Sequence, residues 1–174
     1  MYKNNIKKLT LLSLVLLIVA CGGTFVMKPL PTNISSAKTT KYYLTDIIDR
    51  TGGSFDGANK GALVNTIHEG LAQAGMITST KEKATHLVKI SVTAYKRRNG
   101  AARFFMGAFS GSDRFNAIIE LTDQSGNNIV SGNLENSDAS IMGSADDMVR
   151  DSGKKIVEYL TGKVKDKSNK EDES

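Results

Sequence analysis

Between His86 and Lys96 the chain alternates strictly, with Val88, Ile90, Val92 and Ala94 on one side and Lys89, Ser91, Thr93 and Tyr95 on the other. Strand side chains point to opposite faces in turn, so this segment buries one face and wets the other. A strand of that kind belongs in a sheet covered on one side. Arg114 to Asp123 repeats the pattern with Phe115, Ala117, Ile119 and Leu121 inward. Gln124-Ser125-Gly126-Asn127 then turns the chain back into a strand over Asn128 to Asn136. Tyr42 to Ile48 is aromatic and β-branched enough for an earlier strand, although its alternation is imperfect, and Met76 to Thr78 reads as a short extended piece.

The cover comes from two helical patterns. Ala58 to Ala74 puts Leu63, Ile67, Leu71 and Ala74 on one stripe, and Gly75 closes it. Ser144 with Asp147 three residues on resembles a capping box, opening a second helix with Val149, Ile156 and Leu160 on its apolar stripe and Gly153 as a weak point. The order β-α-β-β-β-α predicts an α+β two-layer sandwich: a mainly antiparallel sheet of about four strands with both amphipathic helices on one face.

The N-terminus carries a different signal. Met1 to Lys8 has three lysines and no acid, and Leu9 to Ala20 is a 12-residue run, apolar except for Thr10 and Ser13. As a helix it rises ~18 Å, short of the roughly 20 apolar residues of a membrane span, so it fits a secretory signal. The run ends in Ile18-Val19-Ala20-Cys21, which resembles the bacterial lipobox. The alternative is an apolar segment that ends in a buried cysteine. The resemblance implies a signal peptide over residues 1–20 and a lipid on Cys21, the only cysteine. A lone cysteine also excludes a disulfide framework and a Cys-rich metal site. In Gram-negative lipoproteins, glycine rather than aspartate after the cysteine implies the outer membrane; Gly22 therefore carries the expectation of a lipid-anchored protein facing the periplasm.

Gly22 to Thr40 lacks any sustained period and reads as a tether. The folded domain is expected over 41–161, with a charged, disordered tail over 162–174. The chain has 23 basic and 18 acidic residues, but Lys3, Lys7 and Lys8 precede Cys21, and without them the balance is 20 to 18. That is too near neutral for a nucleic-acid binder.

Leu71-Ala72-Gln73-Ala74-Gly75-Met76-Ile77, Ala84-Thr85-His86-Leu87-Val88-Lys89-Ile90-Ser91-Val92 and Ile118-Ile119-Glu120-Leu121-Thr122-Asp123-Gln124-Ser125-Gly126 together resemble bacterial lipoproteins that share a domain of unknown function. In outline they resemble the N-terminal domain of TolB and the curli secretion lipoprotein. The likeness covers about residues 42–161 and rests on turn and core positions, so it implies fold more than function.

The most unusual stretch is Lys96 to Arg114, far longer than a hairpin loop of two to five residues. Its basic residues Lys96, Arg97, Arg98, Arg103 and Arg114 are interleaved with Phe104, Phe105, Met106 and Phe109 and punctuated by Gly100, Gly107 and Gly111. One reading is a binding loop of Arg97, Arg98, Arg103, Phe104, Phe105, Gly107, Phe109 and Gly111 for an anionic lipid or an envelope protein partner. In the other, the phenylalanines fold over the end of the sheet and the arginines are solvated.

Catalytic and metal motifs do not assemble. His68-Glu69 lacks the second histidine four residues on that a zinc protease needs, because that position is Ala72. Ser54 and Ser110 lie outside any nucleophile elbow, no phosphate loop is spelled out, and Asp46, Asp49 and Asp56 read as solvated loop acids. The expectation is a non-enzymatic binding or accessory module of the envelope, without cofactor or metal. The rivals are a hydrolase whose residues converge only in the fold and a self-associating structural lipoprotein.

Overall fold

Alternation and helical spacing produce the expected two layers. The structure, a computed structural model, describes residues 25–27, 30, 34, 39–97, 112–138 and 144–163. Its elements are β1 (Phe25–Met27), β2 (Tyr42–Asp49), α1 (Gly57–Gln73), β3 (His86–Lys96), β4 (Asp113–Asp123), β5 (Asn128–Asp138) and α2 (Ala145–Leu160), with a 3₁₀ turn at Lys81–Lys83. The sheet order is β1-β5-β4-β3-β2, antiparallel except for the β2–β3 pair, which α1 connects as a parallel crossover. The helices pack on each other, with α2 over β4 and β5 and α1 beside β2. Ile47, Ile90, Phe115, Ile119 and Leu134 of the sheet form one core with Leu63, Ile67, Leu71, Val149 and Ile156 of the helices.

The helix ends follow local chemistry. Asp56 caps α1 by accepting from the Asn59 backbone N–H, and Ser144 and Asp147 form the reciprocal capping box of α2. Both helices stop on a glycine in the left-handed region, Gly75 (φ 66°) and Gly162 (φ 68°). In each case that residue's N–H bonds back to a carbonyl of the last turn, as does the next N–H: Gly75 to Ala72, Met76 to Leu71, Gly162 to Tyr159 and Lys163 to Glu158. The expected extended piece at Met76 to Thr78 bridges Ile77 to Tyr42 in parallel.

Three differences from the sequence reading have local causes. First, a bulge between Val92 and Ala94 shifts the parity of β3. Tyr95, expected on the wet face, therefore turns into the core and is 8% exposed. A second irregularity, between Leu44 and Asp46 of β2, accounts for that strand's imperfect alternation. Second, Ala74 is not on the buried stripe: it is the exposed C-cap of α1. Third, the stretch read as a tether contains β1, paired with β5, and Leu30 and Ile34 are buried in the core. The Thr40 hydroxyl donates to the Ile34 carbonyl at 3.0 Å.

Tyr42 joins the layers. Its side chain is fully buried and its hydroxyl donates to the Leu160 carbonyl at 2.8 Å, satisfying an orphan acceptor at the end of α2. Burial pushes this hydroxyl well above the ordinary tyrosine range, and pushes Tyr159 up to about 12. Both groups are held neutral in the fold while the unfolded chain ionises near pH ~10. Their stabilisation is thus complete below that pH and is lost progressively as pH rises from there through the raised folded values. Tyr42→Phe is expected to cost about 1–2 kcal/mol at neutral pH and to flatten the alkaline loss. Urea unfolding across the alkaline range measures both; an unchanged alkaline slope would remove Tyr42 from the account.

Candidate functional site

The end of the sheet where β3 stops and β4 starts is built from an aromatic trio. Phe55, from the segment before α1, meets Tyr95 edge-on (5.4 Å, 74°) and Phe115 in a similar tilt (5.8 Å, 62°). The Tyr95 hydroxyl donates to Asn59 Oδ1 at 3.2 Å, and Asn59 Nδ2 donates to Asp56 Oδ1 at 2.9 Å, so the trio is tied to the α1 cap. Burial, and secondarily the Asp146 charge, raise the tyrosine above its ordinary value. Asp113, at the start of β4, is fully buried here.

This end roots the proposed loop. Arg97 is exposed at its start, and Lys96 and Arg114 stand directly opposite each other in register, both exposed. Cys21, Arg98, Arg103, Phe104, Phe105, Gly107, Phe109 and Gly111 lie outside the described residues. Sequence reasoning missed Tyr95 and Asn59, because their meeting depends on the β3 bulge. The only hint was a tyrosine at the end of an otherwise regular strand.

The other singled-out residues have structural partners. Asp49 accepts from Thr51 N–H and Oγ1 (2.7 and 2.6 Å) and from Gly53 N–H, and those bonds hold its carboxyl below the usual range. Asp46 pairs with Lys60 at 3.4 Å, and the Ser54 hydroxyl donates to the Thr51 carbonyl. His68 is exposed on α1. His86 lies at the opposite end of the sheet from the aromatic trio, with Nδ1 2.8 Å from Thr85 Oγ1. That hydroxyl is also bonded to the Lys41 backbone, 3.0 Å from its carbonyl and accepting from its N–H at 2.9 Å. Burial lowers the His86 pKa, partly offset by Asp123. Among the described residues no three His, Cys, Asp or Glu side chains group as a metal site.

Asn136 is the second polar focus. Only 5% exposed, it donates from Nδ2 to Ser152 Oγ (3.0 Å) and Asp151 Oδ2 (3.2 Å), and accepts from Lys155 Nζ at 3.1 Å. These bonds fix α2 against β5. A groove of about 520 Å³ between the helices is lined by Thr66, Gly70, Gln73, Lys154, Glu158 and Lys163. Among the described residues no helix is long and apolar enough to cross a membrane.

Comparison with solved structures finds the fold in the PelC dodecamer of Paraburkholderia phytofirmans, at a TM-score of 0.58 and 17% identity. A single-residue variant of that dodecamer in another crystal form gives 0.59 and 15%. In both cases the likeness covers 80% of this chain and 98% of the other. At such identity it is a likeness of fold. No curated protein matches the chain. A family defined by a domain of unknown function, DUF4410, matches residues 57–143, half of the chain, from the start of α1 to just before α2. The chain belongs to the DUF4410 family.

Proposed function

We propose that this is an exported envelope lipoprotein, anchored in the outer membrane through a lipid on Cys21, that works by binding and assembly rather than by catalysis. The observation that carries the reading is the N-terminus: three lysines, a 12-residue apolar run and the chain's only cysteine, immediately after Ala20. Several acyl chains, each contributing ~0.8 kcal/mol per buried CH₂, hold such a protein at the bilayer without a transmembrane helix. The outline shared with the TolB N-terminal domain and the curli secretion lipoprotein belongs to the same proposal. The PelC structures are dodecamers, which favours the self-associating form of this reading: copies of the chain assemble in the membrane plane as an accessory to a larger machine. Thr85–His86 gives little support to the hydrolase rival, since the hydroxyl is engaged with both backbone groups of Lys41.

The test is metabolic labelling with a palmitate analogue, followed by membrane fractionation. Wild type is expected to take label and float with outer membrane, and Cys21→Ala to lose both. Label that persists in Cys21→Ala, or that wild type never acquires, overturns the anchor. Light scattering on the purified protein reads the assembly; a monomer at all concentrations refutes it.

A further inference from the structure

We propose that the end of the sheet where β3 stops and β4 starts is the surface that lies against the membrane, with the lipid bilayer as its partner. The inference rests on the Cys21 anchor and adds to it an orientation.

Strand register carries the argument. β1 is antiparallel to β5, with Phe25 opposite Leu134 and Met27 opposite Gly132. Phe25 is therefore the residue of β1 nearest the Asp138 end of β5. Leu134 stands four residues from Asp138 and six from Asn128, or ~14 Å and ~20 Å at ~3.4 Å per residue. Cys21 is four residues before Phe25, which is at most ~14 Å of fully extended chain. A lipid on Cys21 thus reaches the Asp138 end of the sheet and falls short of the other. With β1 in the sheet, the slack of a nineteen-residue tether is gone, and the anchor fixes which end meets the bilayer.

The same register places the other residues of that end. Asp138 is opposite Asp113, Ser137 opposite Arg114, and Arg114 opposite Lys96. Two cations directly across an antiparallel pair repel, and this is normally avoided. Among the described residues neither makes an ion pair, and exposed Arg97 follows them. Acids occur at this end too: Asp113 is buried, Asp138 stands opposite it, and Glu135 is exposed two residues before Ser137, while Asp49 is engaged in its turn, Asp56 and Asp147 cap the helices, and Asp146 lies on α2 near Tyr95. Lys96 and Arg114 are exposed side by side across the β3–β4 pair, and Arg97 adds a third cation next to them. Anionic headgroups relieve a repulsion of this kind. The connection that leaves from Arg97 and returns at Ser112 is rooted at the same end. The Lys81–Lys83 turn and the Gln124-Ser125 hairpin stand at the opposite end and face away from the bilayer.

The chain has no tryptophan, so a single one introduced is the sole reporter. Full-length lipidated protein carrying Arg97→Trp, Ser137→Trp, Lys81→Trp or Ser125→Trp, all at exposed positions, is reconstituted into phosphatidylcholine–phosphatidylglycerol vesicles containing brominated lipid. Quenching and a blue shift are expected at positions 97 and 137, with neither at 81 and 125. Quenching at 81 or 125 instead, or at none of the four in protein that floats with the vesicles, overturns the orientation. Flotation that is absent, or that survives Cys21→Ala, overturns the anchor and the inference with it, so the two failures are read separately.

Discussion

Phe115→Ala is expected to lower the free energy of unfolding by about 3–5 kcal/mol, the range for emptying a buried aromatic site. Phe115 is fully buried and contacts Phe55 edge-on, and Phe55 in turn braces Tyr95. The lost ring leaves a void that cannot simply collapse: β4 is held between β3 and β5, and Asn59 pins Tyr95 from α1. Urea unfolding should show a lower midpoint at unchanged slope. A loss under about 1 kcal/mol would mean that Phe55 and Tyr95 close over the site, and that the trio does not hold the shape of this end.

The second large effect is a reversal of sign. Replacing a glycine inside a helix by alanine normally stabilises by up to about 1 kcal/mol. At Gly70, a Cβ would lie 2.8 Å from both γ-methyls of Val157. At Gly153 it would lie 2.9 Å from the Thr66 methyl. Both neighbours are β-branched, with little rotamer freedom in a helix, so the helices must separate. Gly70→Ala is expected to destabilise by about 1–3 kcal/mol. In a Val157→Ala background the same change should become neutral or stabilising, and a double-mutant cycle reads the coupling directly. Destabilisation of equal size in both backgrounds would show that the cost does not come from this contact.

These glycines mark where sequence reading stops. Signals contained within one element were legible: the Ser144–Asp147 capping box, Gly75 at a helix end, the Leu63-Ile67-Leu71 stripe and the span of His86–Lys96. What depends on a partner element was not. Gly153 read as a weakness because its sequence cannot display Thr66 pressed against it. Tyr95 read as wet because a bulge is defined by two strands together. Phe25–Met27 is too short to show a period, and its partner lies far along the chain. Arg97 could be placed at the root of a long connection from sequence, yet the opposition of Lys96 and Arg114 needed the register.

The pairing of β1 with β5 has a consequence for the order in which the molecule is made. The first strand to emerge during synthesis is β1, but Met27 is matched to Gly132, about 100 residues later, and closing so long a loop is slow and entropically costly. The β3–β4–β5 meander can form from neighbours in sequence, whereas β1 must wait for it. With three residues and a single neighbouring strand, it is also the part of the sheet with least to hold it. Native-state hydrogen exchange should find its amides opening first. The sheet is therefore finished from its oldest residues, and the segment born first is the last to find its place.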